Sequence, residues 1–285
     1  MGDKTIAVLI TSHNRCELTV SCLCALKDQV LPEGISYKVY LVDAGSSDGT
    51  VAVVKSNFPE VELIEKDDAV FWNEGMRMAF HEAMVSDHDF FLWLNDDSNL
   101  YPGAISALLH VYEDAKKYGQ DAIVIGSMCD PETGRRTYGG LRSKSKLQPI
   151  SFTPVIPSNT VRECDTFDGN CVLLPRAVVD QVGNLEPGFR HAMGDTDYGL
   201  RAKQKGVSML VAPGYAGGCS RNPPPVWSDP DVSIMTRLKS LRSPKGLPPT
   251  QWLFFIRRHG GPLWPLYWLK YLQRIIFPRA WARKQ

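Results

Sequence analysis

Acidic residues are missing from the last fifth of this 285-residue chain, where no Asp or Glu follows Asp231. From Val232 to Gln285 eleven Lys or Arg stand unopposed, so the formal charge of +1 for the whole chain leaves −10 on residues 1–231. The near-neutral total conceals an acidic body with a basic tail. Seven cysteines (Cys16, Cys22, Cys24, Cys129, Cys164, Cys171, Cys219) contain no CxxC pair and no zinc-like spacing. Their odd number cannot all pair within one chain, which argues against a disulfide framework and fits a reducing compartment. No run approaches the roughly 20 apolar residues that span a bilayer, leaving surface attachment as the only membrane option. Nothing before Ile6 resembles a signal peptide, because IAVLI is followed at once by polar TSHNR. The expected location is the cytosol.

A hydrophobic fraction of 44% at this length is ample for a sizeable core. Short β-rich runs alternate with helical patterns through the first half. TIAVLI, YKVYLV, VELIE, DFFLWL and AIVIGS read as strands, and the stretches between them as helices. The first helix is expected to open on Asn14, with Glu17 three residues on completing a capping box. Such alternation implies an α/β fold with a mostly parallel sheet and helices on both faces. Ligands of such sheets bind beyond the carboxyl ends of the strands. Thr11–Arg15, Asp43–Asp48 and Asp96–Asp97 follow three of these strands, so three polar clusters are expected to converge on one edge. From about 129 to 159 the pattern weakens into a polar, basic stretch, read as a hairpin or mobile loop. Order returns with TFDGNCVLLP as a strand, RAVVDQV and GDTDYGLRAKQKG as helices, and SMLVAP as a last strand.

Each polar cluster has a plain reading beside a chemical one. The paired aspartates of LNDDS are either a solvated turn or a site for a hard divalent cation, which takes one or two carboxylates plus substrate phosphates. Asp43 in VDAGSSDGT is either turn chemistry or an acceptor for the N3–H of a pyrimidine, with Gly45 allowing close approach. Asp195 and Asp197 open a helix, where the dipole favours carboxylates for structural reasons. An acid there is also placed to act as a general base.

Taken together, the TSHNR, VDAGSSDGT, FWNEGMRMAF, LNDDS, FDGNCVLLPRAVVDQVG and GDTDYGLRAKQKG segments, in that order over Ile6–Tyr215, resemble the family-2 glycosyltransferases of the GT-A fold. WNEGMR with LNDDS looks most like the rhamnosyltransferase-type branch of bacterial polysaccharide assembly. The resemblance implies a GT-A domain over 1–230, with a nucleotide-binding part at about 1–128 and an acceptor-side part at about 160–220. It implies inverting transfer from a nucleotide-diphosphate sugar (dTDP- or UDP-linked) to a hydroxyl of a saccharide or lipid-linked acceptor. By the same resemblance, Thr11, His13 and Arg15 line the base and phosphate pocket, Asp43 binds the base, and Trp72 and Asn73 face the donor sugar. Asp97 takes Mg²⁺ or Mn²⁺, and Asp96 the ribose or the metal's water shell. Asp195 is the base, and Asp168, Gly169 and Asn170 border the acceptor. The chain departs from the family at Gly194, where Glu is common, and at GYAGGCSRN, where many relatives place a histidine ligand and this chain has Cys219. His81, His88, His110 and His191 read as surface or packing residues. A catalytically inactive sugar-nucleotide or glycan-binding module and a sugar-phosphate nucleotidyltransferase are the rival functions. The glycine- and lysine-rich opening expected of the latter is absent.

The tail, 231–285, carries four of the seven tryptophans. On a helix beginning near Pro265, Trp264, Tyr267, Trp268, Tyr271, Leu272 and Ile275 share one face, with Lys270, Gln273 and Arg274 on another. This amphipathic pattern is expected to lie on an anionic membrane surface at the inner face of the cell membrane. A helix docked on the catalytic domain and a homo-oligomer contact are the competing readings. A nucleic-acid partner is set aside, because the body is acidic and the aromatics follow amphipathic spacing.

Overall fold

The computed structural model describes residues 3–279. The β-rich runs of the first half form strands β1 (Lys4–Ser12), β2 (Ile35–Ala44), β3 (Glu62–Lys66), β4 (Phe90–Leu94), the short β5 (Asn99–Leu100) and β6 (Ala122–Ile125). Between them run helices α1 (Cys16–Lys27), α2 (Thr50–Asn57), α3 (Trp72–Val85) and α4 (Ala104–Lys117). β1 pairs in parallel with β2 and β4, and β2 with β3, so their carboxyl ends share one edge. Alternate residues of β1 enter two separate cores. Ile6, Val8 and Ile10 pack with Leu23, Leu26 and Leu108 on one face, and Ala7 and Leu9 with Met76, Phe80 and Tyr198 on the other. Burial on both faces is why this strand reads as an unbroken apolar run.

The polar middle stretch supplies β7 (Met128–Cys129) and an antiparallel hairpin of β8 (Gly140–Ser145) with β9 (Gln148–Pro154). Then follow β10 (Arg162–Glu163), β11 (Thr166–Phe167), β12 (Cys171–Pro175), α5 (Arg176–Val182), α6 (Gly194–Gln204), β13 (Ser208–Val211) and β14 (Gly217–Gly218). The main sheet runs β10-β13-β6-β12-β4-β1-β2-β3. β12 lies antiparallel between β4 and β6, which breaks the parallel order beside the paired aspartates.

The capping box expected at Asn14 and Glu17 does not form. Asn14 adopts φ 51°, and its Oδ1 accepts from Ser47 N at 2.7 Å. The helix is served from a neighbouring loop, with Cys16 N donating to Asp48 at 2.9 Å. A long-range carboxylate has displaced the local cap, and it ties the loops after β1 and β2 together.

The tail folds as α7 (Ile234–Arg242), α8 (Pro249–His259) and α9 (Trp264–Ile276). The aromatic face of α9 expected to meet lipid meets protein instead. Tyr267, Trp264 and Trp268 join Phe189, Leu200, Phe255 and Ile256, while Tyr271 and Ile275 join Trp227 and Leu241. Stacked rings from Trp252 to Phe255 and Tyr271 reinforce the seam. Arg237, 4% exposed, closes it by donating to Trp227 O and to Ile275 O at 2.6 Å near the end of α9. A second apolar row stays exposed on α9, with Leu266 at 49%, Leu269 at 54% and Ile276 at 56%. Among the described residues no helix is long and apolar enough to cross a membrane. Arg283 and Lys284, part of the basic tail by sequence, lie outside the described residues.

Candidate active site

A cleft of about 470 Å³ opens at the carboxyl edge of the sheet. It gathers Thr11, His13 and Arg15 from the loop after β1, Asp96 and Asp97 after β4, Trp72 from α3, Gly169 and Asn170 before β12, and Asp195 from α6. Most of the expected site residues therefore line one cavity.

At one end Arg15 Nη1 bridges the acid pair, 3.1 Å from Asp96 Oδ1 and 2.8 Å from Asp97 Oδ2. The pKa of Asp96 is pushed up to about 6, because burial outweighs the attraction of Arg15. The thiol of Cys219 donates to Asp97 Oδ1 at 3.4 Å and is pushed up to about 12, mainly by burial, so it stays neutral at pH 7. Among the described residues no group of three or more His, Cys, Asp or Glu stands ready to hold a metal. The pair still fits a hard divalent cation, whose shell is completed by substrate phosphates and water when one or two carboxylates are supplied. The fit requires Arg15 to leave the two carboxylates.

At the other end Asp195 opens α6. Its Oδ2 accepts from Gly169 N at 2.9 Å and its Oδ1 from Thr196 N at 2.7 Å. Burial raises its pKa although these bonds oppose the rise, which moves a carboxylate toward the range useful for a base. The Trp72 indole lies between the two ends and donates to Asn95 Oδ1 at 2.8 Å. Gly169 makes room for it, since a Cβ there would stand 2.8 Å from the ring. His13 Nδ1 donates to Ala44 O at 2.6 Å, which fixes the imidazole at the wall. The buried Oγ1 of Thr11 has no partner.

Three expected site residues do not line the cleft. Asn73 is fully buried, and its Nδ2 donates to Glu186 O at 3.0 Å and Phe189 O at 2.7 Å, so it braces a loop rather than facing a sugar. Its Oδ1 would lie 1.7 Å from a Cβ at position 194, which is the physical reason this chain has Gly194 there. Asp168 accepts from Gly139 N and stands 3.7 Å from Arg136, with its pKa pushed up to about 7 by burial and by Asp195. Asp43 sits beneath its own turn, where Oδ1 accepts from Ser46 N at 2.9 Å and the buried Oδ2 has no partner. Gly45, at φ 70°, makes room for backbone: a Cβ would stand 2.6 Å from Asp68 N.

Sequence reasoning missed Asp68, Phe71, His191, Asn222 and Lys245, all of which line the cleft. Asp68 follows β3, so the strand-end rule contained its signal. His191, read as a packing residue, has its buried Nδ1 without a partner and its pKa lowered to about 4 by burial, Lys245 and Arg15. No local spacing marks it.

Solved structures share this architecture. S. aureus TarS 1–349 in complex with UDP-GlcNAc superposes with a TM-score of 0.53 at 13% identity, over 87% of this chain and 66% of that one. The mannosyltransferase PcManGT from Pyrobaculum calidifontis, in complex with GDP-Man and Mn²⁺, gives 0.56 at 13% identity, over 98% and 83%. The chain thus spans just under two thirds of the TarS fragment. No curated protein matches its sequence. The fold is of the GT-A class. The chain belongs to glycosyl transferase family 2, whose family model matches residues 7–183.

Proposed function

We propose that this enzyme transfers a sugar, with inversion, from a pyrimidine nucleoside-diphosphate donor to a hydroxyl of a saccharide or lipid-linked saccharide acceptor in cell-surface polysaccharide synthesis. The observation that carries the reading is the placement of Asp195, from α6, in the same cleft as Asp96 and Asp97 after β4. The base of the donor lies against His13 and the sugar against Trp72. An Mg²⁺ or Mn²⁺ ion at Asp97 and Asp96 would neutralise charge on the departing diphosphate. Asp195 takes the proton of the acceptor hydroxyl as its oxygen bonds the anomeric carbon. The bond from that carbon to the diphosphate oxygen breaks on the opposite face, leaving an inverted glycoside and a nucleoside diphosphate. dTDP-rhamnose is the first donor to try, and UDP-sugars the next. NMR of the first-formed product tests the reading, since a retained anomeric configuration is incompatible with one displacement assisted by Asp195.

The exposed row Leu266, Leu269, Leu272 and Ile276 on α9, with Leu263 just before it, recurs at helical spacing. It supports peripheral attachment to the inner face of the cell membrane, with the apolar row rather than the docked aromatic face entering the lipid. Co-sedimentation with anionic vesicles measures this directly.

A further inference from the structure

We propose that Lys245, which the tail suspends over the cleft, is a ligand of the donor's diphosphate, so that the C-terminal helices complete the donor site. The inference rests on the proposed nucleoside-diphosphate donor and deepens it. Lys245 lies far beyond the stretch matched to the family, in the loop between α7 and α8, yet it lines the same cleft as Arg15, Asp96 and Asp97. Its side chain is exposed, and among the described residues it forms no ion pair. An ammonium facing a cavity in which Arg15 already holds Asp96 and Asp97 is a point charge available to an incoming anion.

The loop that carries Lys245 is built to hold it still. Gly246 N donates to Ser243 O at 2.9 Å. A Cβ at Gly246 would lie 2.1 Å from Ser240 O, so the backbone runs directly against the end of α7. Leu247 O accepts from Tyr271 Oη at 2.8 Å, which fastens the loop to α9. Pro244, Pro248 and Pro249 restrict the backbone on either side. Farther on, Arg258 and His259 of α8 bond Asp197 of α6 at 3.1 and 2.8 Å, so the unit that delivers Lys245 is locked to the helix that carries Asp195. His191 lines the same cleft, and the charges of Lys245 and Arg15 add to burial in lowering its pKa. Arg15 and Lys245, from distant parts of the chain, thus line one cleft and bring two positive charges to it.

Calorimetric titration of the full chain with UDP, dTDP and GDP, each with and without Mn²⁺, and with uridine, thymidine and guanosine, tests the assignment. For whichever diphosphate binds the wild type, Lys245→Ala is expected to weaken binding about tenfold or more, as loss of one charge-assisted contact does. Affinity for the matching nucleoside stays unchanged. Lys245→Arg restores most of the loss, and Lys239→Ala on α7, a control for tail charge, has no effect. Unchanged diphosphate affinity in Lys245→Ala overturns the assignment while leaving the donor reading intact, as does an equal fall for diphosphate and nucleoside. If no diphosphate binds the wild type, the donor reading fails and this inference with it.

Discussion

The two sides of helix α6 carry aspartates two residues apart that meet opposite fates. Asp195 faces the cleft, accepts from the backbone N–H groups of Gly169 and Thr196 and from the Thr196 hydroxyl but from no cation, and has its pKa raised by burial. Asp197 faces the tail, where Arg201, Arg258 and His259 surround it, and its pKa is lowered because those partners outweigh burial. Burial by itself therefore does not set the behaviour of a carboxylate; the company it keeps does. The carboxylate proposed as the base is left without cations, while the one that anchors the tail is surrounded by them.

The comparison breaks most decisively on activity. Asp195→Asn is expected to lower kcat by roughly 10²–10⁴ while the protein remains folded, and steady-state assays with a defined donor measure it. Asp197→Ala leaves three cationic or titratable groups around an empty site, and a loss of about 3–5 kcal/mol follows from breaking a buried pair. Urea unfolding at pH 7 would show it, and a loss below 1 kcal/mol would refute the anchor role. The same pair has opposite pH signatures. The stability that Asp197 provides is present above an unfolded pKa of about 3.9 and is lost as pH falls through its lower folded value. Asp195, raised in the fold, opposes folding above that same pH, so Asp195→Asn should raise Tm at pH 7 and lose that gain by pH 3. A smaller effect is expected at the mouth of the helix. Gly194→Ala must displace Asn73 and should destabilise by about 1–3 kcal/mol, the usual range for overpacking, read as a fall in Tm. Smallest in energy is the surface of α9, where Leu269→Asp should reduce binding to anionic vesicles without altering Tm.

Much of the cleft was legible in the chain because parallel strands put their following loops on one edge. TSHNR and LNDDS could be placed together from strand order, while the aspartate opening GDTDYG joined them only through the family resemblance. What escaped depends on contacts between distant segments. Nothing near Asn73 announces that its amide will reach Glu186 and Phe189, and nothing near Lys245 announces a cleft built by residues 11–195. The tail shows the same limit in its energetics. Its aromatic periodicity identified a helix with an apolar face, but a periodic pattern does not distinguish a lipid surface from a protein one. Asp197 and Phe189 decided that, and both lie more than fifty residues upstream of the helices they hold.

The antiparallel insertion of β12 beside β4 bears on how such an enzyme can diversify. Cys171 pairs with Leu94, and Asn95 N donates to Asn170 O at 3.2 Å, so the rung that ends this ladder also joins the loop carrying Asp96 and Asp97 to the loop carrying Gly169 and Asn170. The spacing of those two loops, which the proposed mechanism sets between donor and acceptor, is thereby held by main-chain bonds. Surrounding loops are free to drift toward new sugars and acceptors while the reaction stroke keeps its length.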